Sequence, residues 1–124
     1  MGEYYYIVNL DKKEYVAIVP VKFVEWLANE NSKALFWLCC ALTEGSGKYE
    51  TLGRWAGDRI VVIGDYNPDF NKVMKGCRNI TYDVVREIMD YAERVGIREL
   101  AEFMKDWLDT HHKFIVTSML KDFT

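Results

Sequence analysis

The chain has 124 residues, of which half are hydrophobic and 28% are charged, so its length and composition predict a single globular domain over residues 1–124 and exclude wholesale disorder. The formal net charge of −3 disfavours nucleic-acid binding, because the overall field repels phosphate backbones. The longest apolar run, residues 34–42, is far shorter than the about 20 residues that span a bilayer, which excludes a membrane-spanning helix.

Cysteine usage and the first residues bear on the compartment. Three cysteines form no disulfide pattern, and the start of the chain lacks the basic and apolar regions of a signal peptide. We therefore expect a soluble cytoplasmic protein. The chain contains no Gln, and depletion of thermolabile residues such as Gln is a compositional feature of thermophilic proteins.

Aromatic residues make up 15% of the chain, a high share for this length. Aromatic side chains that a small core does not need are often used at interfaces. The composition therefore predicts self-association, with a homodimer as the expected partner arrangement, while nothing in the sequence identifies another protein partner.

Two β-rich runs open the chain, at residues 4–10 and 14–19, and the polar residues 11–13 between them predict a hairpin. Apolar residues occupy both alternating faces of these strands. A half-exposed sheet would show one polar face, so we expect this sheet to be covered on both sides, by helices or by a second subunit.

Two helices are predicted next, over 21–29 after Pro20 and over 32–43. The second is apolar all round, which is typical of a helix packed into the middle of a domain. A polar, Gly-rich loop then leads to a short β-branched strand at 59–64, which is bracketed by Gly-Asp pairs.

The second half of the chain is predicted to be helical. Apolar residues recur at three- and four-residue spacing over 81–95 and again over 97–109, with Gly96 between the two helices. The tail at 112–122 has both helical spacing and strand propensity, with helix slightly favoured. The whole pattern predicts an α+β fold with about three antiparallel strands and four or five helices.

Several motifs that resemble known sites fail on their spacing. Asp58 and Asp65 would lie about 23 Å apart on opposite faces of a strand, so they cannot form one catalytic pair. The sequence G-S-G-K at 45–48 lacks the leading Gly, the following Ser or Thr and the preceding strand of a phosphate loop. The Asp-rich segment 65–71 lacks the Gly and Glu of a calcium loop. We therefore expect no metal, no cofactor and no catalytic residue from these motifs.

The segments V-N-L-D-K-K-E-Y at 8–15 and G-R-W-A-G-D-R-I-V-V-I-G-D-Y at 53–66 resemble a family of small uncharacterised proteins from bacteria, archaea and their viruses. The N-I-T sequence at 79–81 is similar to the same family's pattern, whereas a longer Gly-rich insert before the second motif is missing. The resemblance implies a shared fold and no known activity. For a viral protein it implies the host cytoplasm.

The ends of the central strand carry the candidate binding residues, because they combine an aromatic ring, guanidinium groups and carboxylates. These candidates are Arg54, Trp55, Asp58, Arg59, Asp65 and Tyr66. The alternative is structural, with Trp55 in the core and Arg59 paired to an Asp.

Three functions remain open from the sequence. The first is a self-associating binding module. The second is a small hydrolase or nucleotide-handling enzyme that uses the carboxylates and arginines at 54–66, and the third is a viral protein directed at a host.

Overall fold

The computed structural model describes residues 3–17, 31–114 and 121–124 and shows an α+β fold. Four strands form one sheet: β1 (Tyr5–Asn9), β2 (Glu14–Val16), β3 (Ile60–Gly64) and β4 (Arg78–Asn79). Within the described residues, four helices accompany it: α1 (Asn31–Cys39), α2 (Phe70–Met74), α3 (Thr81–Val95) and α4 (Arg98–Phe114). In the part of the chain so described, no helix is both long and apolar enough to cross a membrane.

The sheet has the strand order β3-β1-β2-β4. Strand β1 is antiparallel to both neighbours, while β4 runs parallel to β2, with Glu14 opposite Arg78. The expectation of about three antiparallel strands is therefore close but not exact, because the described residues contain a fourth strand and the sheet is mixed. Strand β4 has only two residues, so its pairing with β2 is set by contacts distant in sequence and leaves no local pattern.

Both faces of the hairpin strands are covered, as the sequence indicated. Ile7 and Val8 point to opposite faces and are both fully buried, and every residue of β2 is buried. The predicted turn at 11–13 is confirmed, with the Asn9 side-chain oxygen accepting hydrogen bonds from the amides of Asp11 and Lys12 at 2.9 and 2.8 Å. Asn9 thus organises the turn as an Asx-type cap.

Helix α3 has the predicted bounds, and Gly96 ends it in the left-handed conformation with φ of 84°. Helix α4 begins one residue later than expected and continues to Phe114. The tail segment expected at 112–122 is thus helical at its start, while residues 121–124 are not helical and 115–120 lie outside the described residues. The predicted helix at 21–29 also lies outside them. Helix α2, a single short turn, was not predicted.

Helix α1 ends at Cys39 instead of continuing to residue 43. The amide of Gly53 donates to the Trp37 carbonyl and the amide of Trp55 donates to the Leu38 carbonyl, both at 2.8 Å. Carbonyls in the last turn of a helix lack intrahelical partners. The loop that begins at Gly53 supplies those partners, so the apolar run does not need to stay helical.

The C-terminal residues join an aromatic cluster on the sheet. The rings of Tyr6, Tyr15, Phe70 and Phe123 lie with centroids 5.3 to 6.3 Å apart in edge-on or tilted pairs. The Tyr15 hydroxyl donates to the Lys121 carbonyl at 2.7 Å, and the Phe123 amide donates to the Cys77 carbonyl at 2.8 Å. Edge-on ring pairs are favourable beyond the burial of their area, so the partly buried Phe123 packs against the core while Lys121, Asp122 and Thr124 stay exposed.

Gly53 allows the close approach of this loop to α1. Its φ is +75°, and a Cβ built there would lie 2.7 Å from the Cys40 carbonyl oxygen. Gly57 has a similar φ of +83°, but a Cβ at that position meets no atom within 4 Å.

We expect Gly53→Ala to lower the free energy of unfolding by about 3 kcal/mol or more, because left-handed strain adds to a backbone clash. Gly57→Ala is the matched control and should cost only about 1 kcal/mol, from the strain alone. Urea denaturation of both variants measures the difference. Equal losses would show that the contact with α1 is not a constraint.

Candidate functional site

The centre of the candidate region is Glu14, a residue that the sequence did not single out. Its side chain is only 3% exposed. Arg54 donates from Nε at 3.0 Å and from Nη2 at 2.6 Å, Trp55 donates from Nε1 at 2.9 Å, and Arg78 donates from Nη2 at 2.9 Å. One carboxylate therefore joins β2, the loop after α1, and β4.

The charge of Glu14 is maintained by these donors. Burial acts to raise the pKa of the Glu14 carboxyl, but the hydrogen bonds from Arg54, Trp55 and Arg78 outweigh burial and hold the pKa below its ordinary value. The same hydrogen bond raises the pKa of the Arg54 guanidinium. Glu14 is thus a buried carboxylate whose two arginine partners are themselves partly exposed, 35% for Arg54 and 61% for Arg78, rather than a carboxylate poised to accept a proton.

Asp58 and Arg59 lie at the hairpin turn. Asp58 accepts a hydrogen bond from Asn9 Nδ2 at 2.9 Å and pairs with Lys12. Arg59 donates to Asp11 from its backbone amide at 2.7 Å and from Nε at 2.8 Å. Hydrogen bonds from Arg59 lower the pKa of Asp11, and those from Asn9 and Lys12 lower the pKa of Asp58. Asp58 and Arg59 therefore bind the turn between β1 and β2 to the start of β3.

Asp65 and Tyr66 lie at the other end of β3. The Asp65 side chain accepts the amide hydrogen of Tyr4 at 3.0 Å, while Tyr66 is 61% exposed. The structure thus divides the six candidates between the two ends of one strand. Asp58 and Asp65 do not come together, and Trp55 is fully buried.

A polar cleft of about 190 Å³ adjoins the Glu14 cluster. Two guanidinium groups, those of Arg54 and Arg78, face three carboxylates there; the carboxylates belong to Glu50, Asp83 and Glu87. Glu87 also accepts hydrogen bonds from the amide and hydroxyl of Thr51, both at 2.9 Å. The cleft therefore contains side chains of opposite charge, which compete with any charged ligand for one another.

The cysteine thiols and the acidic side chains are the groups that bear on nucleophile and metal chemistry. Burial raises the pKa of the Cys39 and Cys77 thiols, which leaves them protonated at neutral pH. Residues 3–17, 31–114 and 121–124 contain no group of three or more His, Cys, Asp or Glu side chains that could hold a metal ion.

Three comparisons place no known protein beside this chain: no protein-family model, no curated protein and no solved structure matches it. The resemblance of segments 8–15 and 53–66 to a family of small uncharacterised proteins therefore stays a prediction. The structure shows that residues of the second motif contact residues of the first: Arg54 binds Glu14, Arg59 binds Asp11, and Asp58 binds Asn9 and Lys12.

We expect Glu14→Gln to lower the free energy of unfolding by about 2 kcal/mol, because the buried side chain at position 14 loses the charge that accepts hydrogen bonds from Arg54, Trp55 and Arg78. Glu50→Gln makes the same chemical change on an exposed side chain of the adjacent cleft and should cost less than about 0.5 kcal/mol. Urea denaturation at neutral pH compares the two, and similar values would contradict a central role of Glu14.

The same pair of proteins tests the pH dependence. Because the pKa of Glu14 is lower in the folded state than the about 4.3 of an unfolded chain, its contribution is complete above that pH and is lost as pH falls through the folded-state value. The stability difference between the wild type and Glu14→Gln should therefore shrink below about pH 4. A difference that stays constant from neutral pH to about pH 3 would be incompatible with the ion cluster.

Proposed function

We propose that this protein is a self-associating interaction module and that two copies join through an apolar groove between α1, α3 and α4. The groove encloses about 430 Å³. Its lining is dominated by apolar side chains, namely Phe36, Trp37, Ile88, Tyr91, Ile97 and Leu100. The observation that carries the proposal is Phe36, which lies in the middle of α1 and is 74% exposed.

The exposed apolar residues are clustered. Ile97 is 47% exposed and Phe103 is 37% exposed, and both line a second cleft of about 210 Å³ that shares Ile97 and Leu100 with the groove. Single exposed apolar residues are ordinary, whereas a contiguous apolar patch marks an interaction site. The groove and the second cleft together form one apolar surface.

A second copy of the chain is the occupant that fits this surface. In a two-fold dimer the same patch faces itself, so the patch must be complementary to its own rotated image. The rim of the surface carries both signs of charge, with Lys33 and Glu99 lining the second cleft. Two-fold pairing allows Lys33 of each copy to approach Glu99 of the other while the apolar side chains meet between them. A stable dimer typically buries about 800 Å² of accessible surface on each copy.

The cytoplasm is the proposed location of this dimer. The three cysteines of the chain, Cys39, Cys40 and Cys77, are free thiols, which supports a reducing compartment.

The other functional hypotheses receive less support. A hydrolase or nucleotide-handling enzyme at 54–66 would need its charged groups to converge, and they are instead divided between the two ends of β3 and paired. No contact among residues 3–17, 31–114 and 121–124 favours a viral, host-directed function over the self-associating module.

Phe36→Lys should convert the dimer to a monomer, since a charge replaces the most exposed apolar side chain of the groove. Val62→Lys is the matched control, because Val62 is 48% exposed on β3 and does not line the groove. Sedimentation equilibrium or light scattering at about 100 μM protein gives the mass of each variant. At this concentration a dimer is detected when its dissociation constant is about 100 μM or lower.

Reversing one rim charge gives a second test of the two-fold arrangement. Lys33→Glu or Glu99→Lys alone should weaken the dimer, and the double variant should recover part of the loss because each new pair is again opposite in sign. A wild-type protein that is monomeric at about 100 μM would overturn the proposal, as would a dimer that Phe36→Lys and Val62→Lys affect equally.

A further inference from the structure

A separate cleft of about 490 Å³ lies between the glycine-rich loop 45–49 and the last turns of α3. Lys48 and Arg94 line it, and so does the ring of Tyr91. None of the described residues that line this cleft is acidic. In a chain of net charge −3, the charged side chains that line this cleft are thus both positive, whereas arginines and carboxylates together line the cleft beside Glu14.

Tyr49 holds the two cations in place. Its hydroxyl accepts a hydrogen bond from Arg94 Nη1 at 2.7 Å. The Arg94 guanidinium carbon and the Lys48 ammonium nitrogen lie 5.6 and 5.5 Å from the centroid of the same ring. Cation–π contacts of this kind favour both positions. The two positive groups are therefore already gathered around one point before any ligand arrives.

The only carboxylate that contacts this group within the described ranges is Asp90, which stands outside the cleft lining. It accepts a hydrogen bond from the Tyr49 hydroxyl at 2.7 Å and pairs with Lys48 at 3.0 Å. The hydrogen bonds from Tyr49 and Lys48 lower the pKa of Asp90, so it is ionised at neutral pH. Arg94, by contrast, forms no ion pair with a carboxylate in the described part of the chain.

The loop beside these cations can come close to a ligand. Gly45 and Gly47 have φ of +84° and +64°, conformations that favour glycine, and a Cβ at either would meet nothing within 4 Å. The backbone therefore faces open space at both positions. Backbone amides in such loops serve as donors to anions.

We propose that this cleft binds the phosphoryl group of a phosphate monoester. Arg94 and Lys48 are the charged contacts of the phosphoryl group, and the exposed part of Tyr91 lies beside the organic part of the ester. The planar guanidinium group of Arg94 matches two phosphate oxygens at once, and Lys48 adds a point charge. Tyr91 is 39% exposed and offers a surface on which an aromatic base can stack. This inference concerns a ligand site and goes beyond self-association.

Three probes distinguish the sources of the phosphoryl group: inorganic phosphate, ribose 5-phosphate and adenosine monophosphate. Each is titrated into the isotope-labelled protein at constant ionic strength, and amide resonances are followed by NMR. All three should shift the resonances of loop 45–49 and Arg94. Stacking on Tyr91 should make adenosine monophosphate bind about tenfold more tightly than ribose 5-phosphate; equal binding would assign the site to the phosphoryl group alone and remove Tyr91 from the proposal.

Arg94→Gln tests the charged contact, with Arg98→Gln as the control that makes the same change of net charge on an exposed residue outside the cleft. Arg94→Gln should weaken phosphate binding at least about tenfold, and Arg98→Gln less than about twofold. Asp90→Asn should tighten binding, because Lys48 no longer shares its charge with a carboxylate.

A purely structural function of Tyr49 and its contacts with Lys48, Asp90 and Arg94 predicts the opposite effect of Asp90→Asn. The substitution would then loosen the two cations and weaken phosphate binding instead of tightening it. Thermal unfolding shows whether each variant is folded before its binding is compared. The proposal is overturned if about 10 mM phosphate shifts no resonance of loop 45–49, or if Arg94→Gln and Arg98→Gln bind alike.

Discussion

The structure depends on one buried carboxylate. Moving an ion the size of Glu14 out of water costs several kcal/mol unless partners compensate for it. Glu14 lies in a strand of three residues that is buried throughout, and donors from Arg54, Trp55 and Arg78 surround it. Each donor comes from a part of the chain at least 40 positions away. The cluster therefore selects one arrangement of the loop after α1, β2 and β4, which apolar packing alone would specify less sharply.

This constraint explains why the conspicuous segment 53–66 looks like a functional site. Its charged residues are needed to bind the first hairpin: Asp58 and Arg59 hold the turn, and Arg54 holds β2. A set of arginines, carboxylates and a Trp is what a ligand site requires, but it is also what fixes two distant segments together. These groups already satisfy one another, and for that reason both proposals concern other surfaces, those formed by the helices and by loop 45–49.

The sequence predicted those elements whose signal is local. Helix α3 follows from its apolar spacing and from Gly96, and the hairpin follows from two β-rich runs around polar turn residues. Strand β4 and the end of α1 could not be predicted, because β4 exists only by pairing with β2 and α1 ends where the amides of Gly53 and Trp55 reach its carbonyls.

The candidate site was predicted in part. Arg54 and Trp55 were named from their residue types, whereas Glu14 and Arg78 were missed because their partners are distant in sequence. One signal for Glu14 was present: a carboxylate in a strand expected to be covered on both faces must have a cation beside it. The cationic cleft had a weaker signal, because the G-S-G-K loop fails the phosphate-loop pattern and Arg94 joins it only through the fold.

The two proposed surfaces are not independent, because they share Tyr91. Its ring packs edge-on against Trp37 at 5.7 Å, in the groove, and against Tyr49 at 6.0 Å, beside the cationic cleft. Only 39% of Tyr91 is exposed, so a second copy in the groove and an aromatic base in the cleft draw on the same small area. Coupling between two sites is reciprocal. The factor by which a bound ligand changes the dimerisation constant therefore equals the factor by which dimerisation changes the affinity for the ligand. Under the two proposals together, competition for one ring would make that coupling negative.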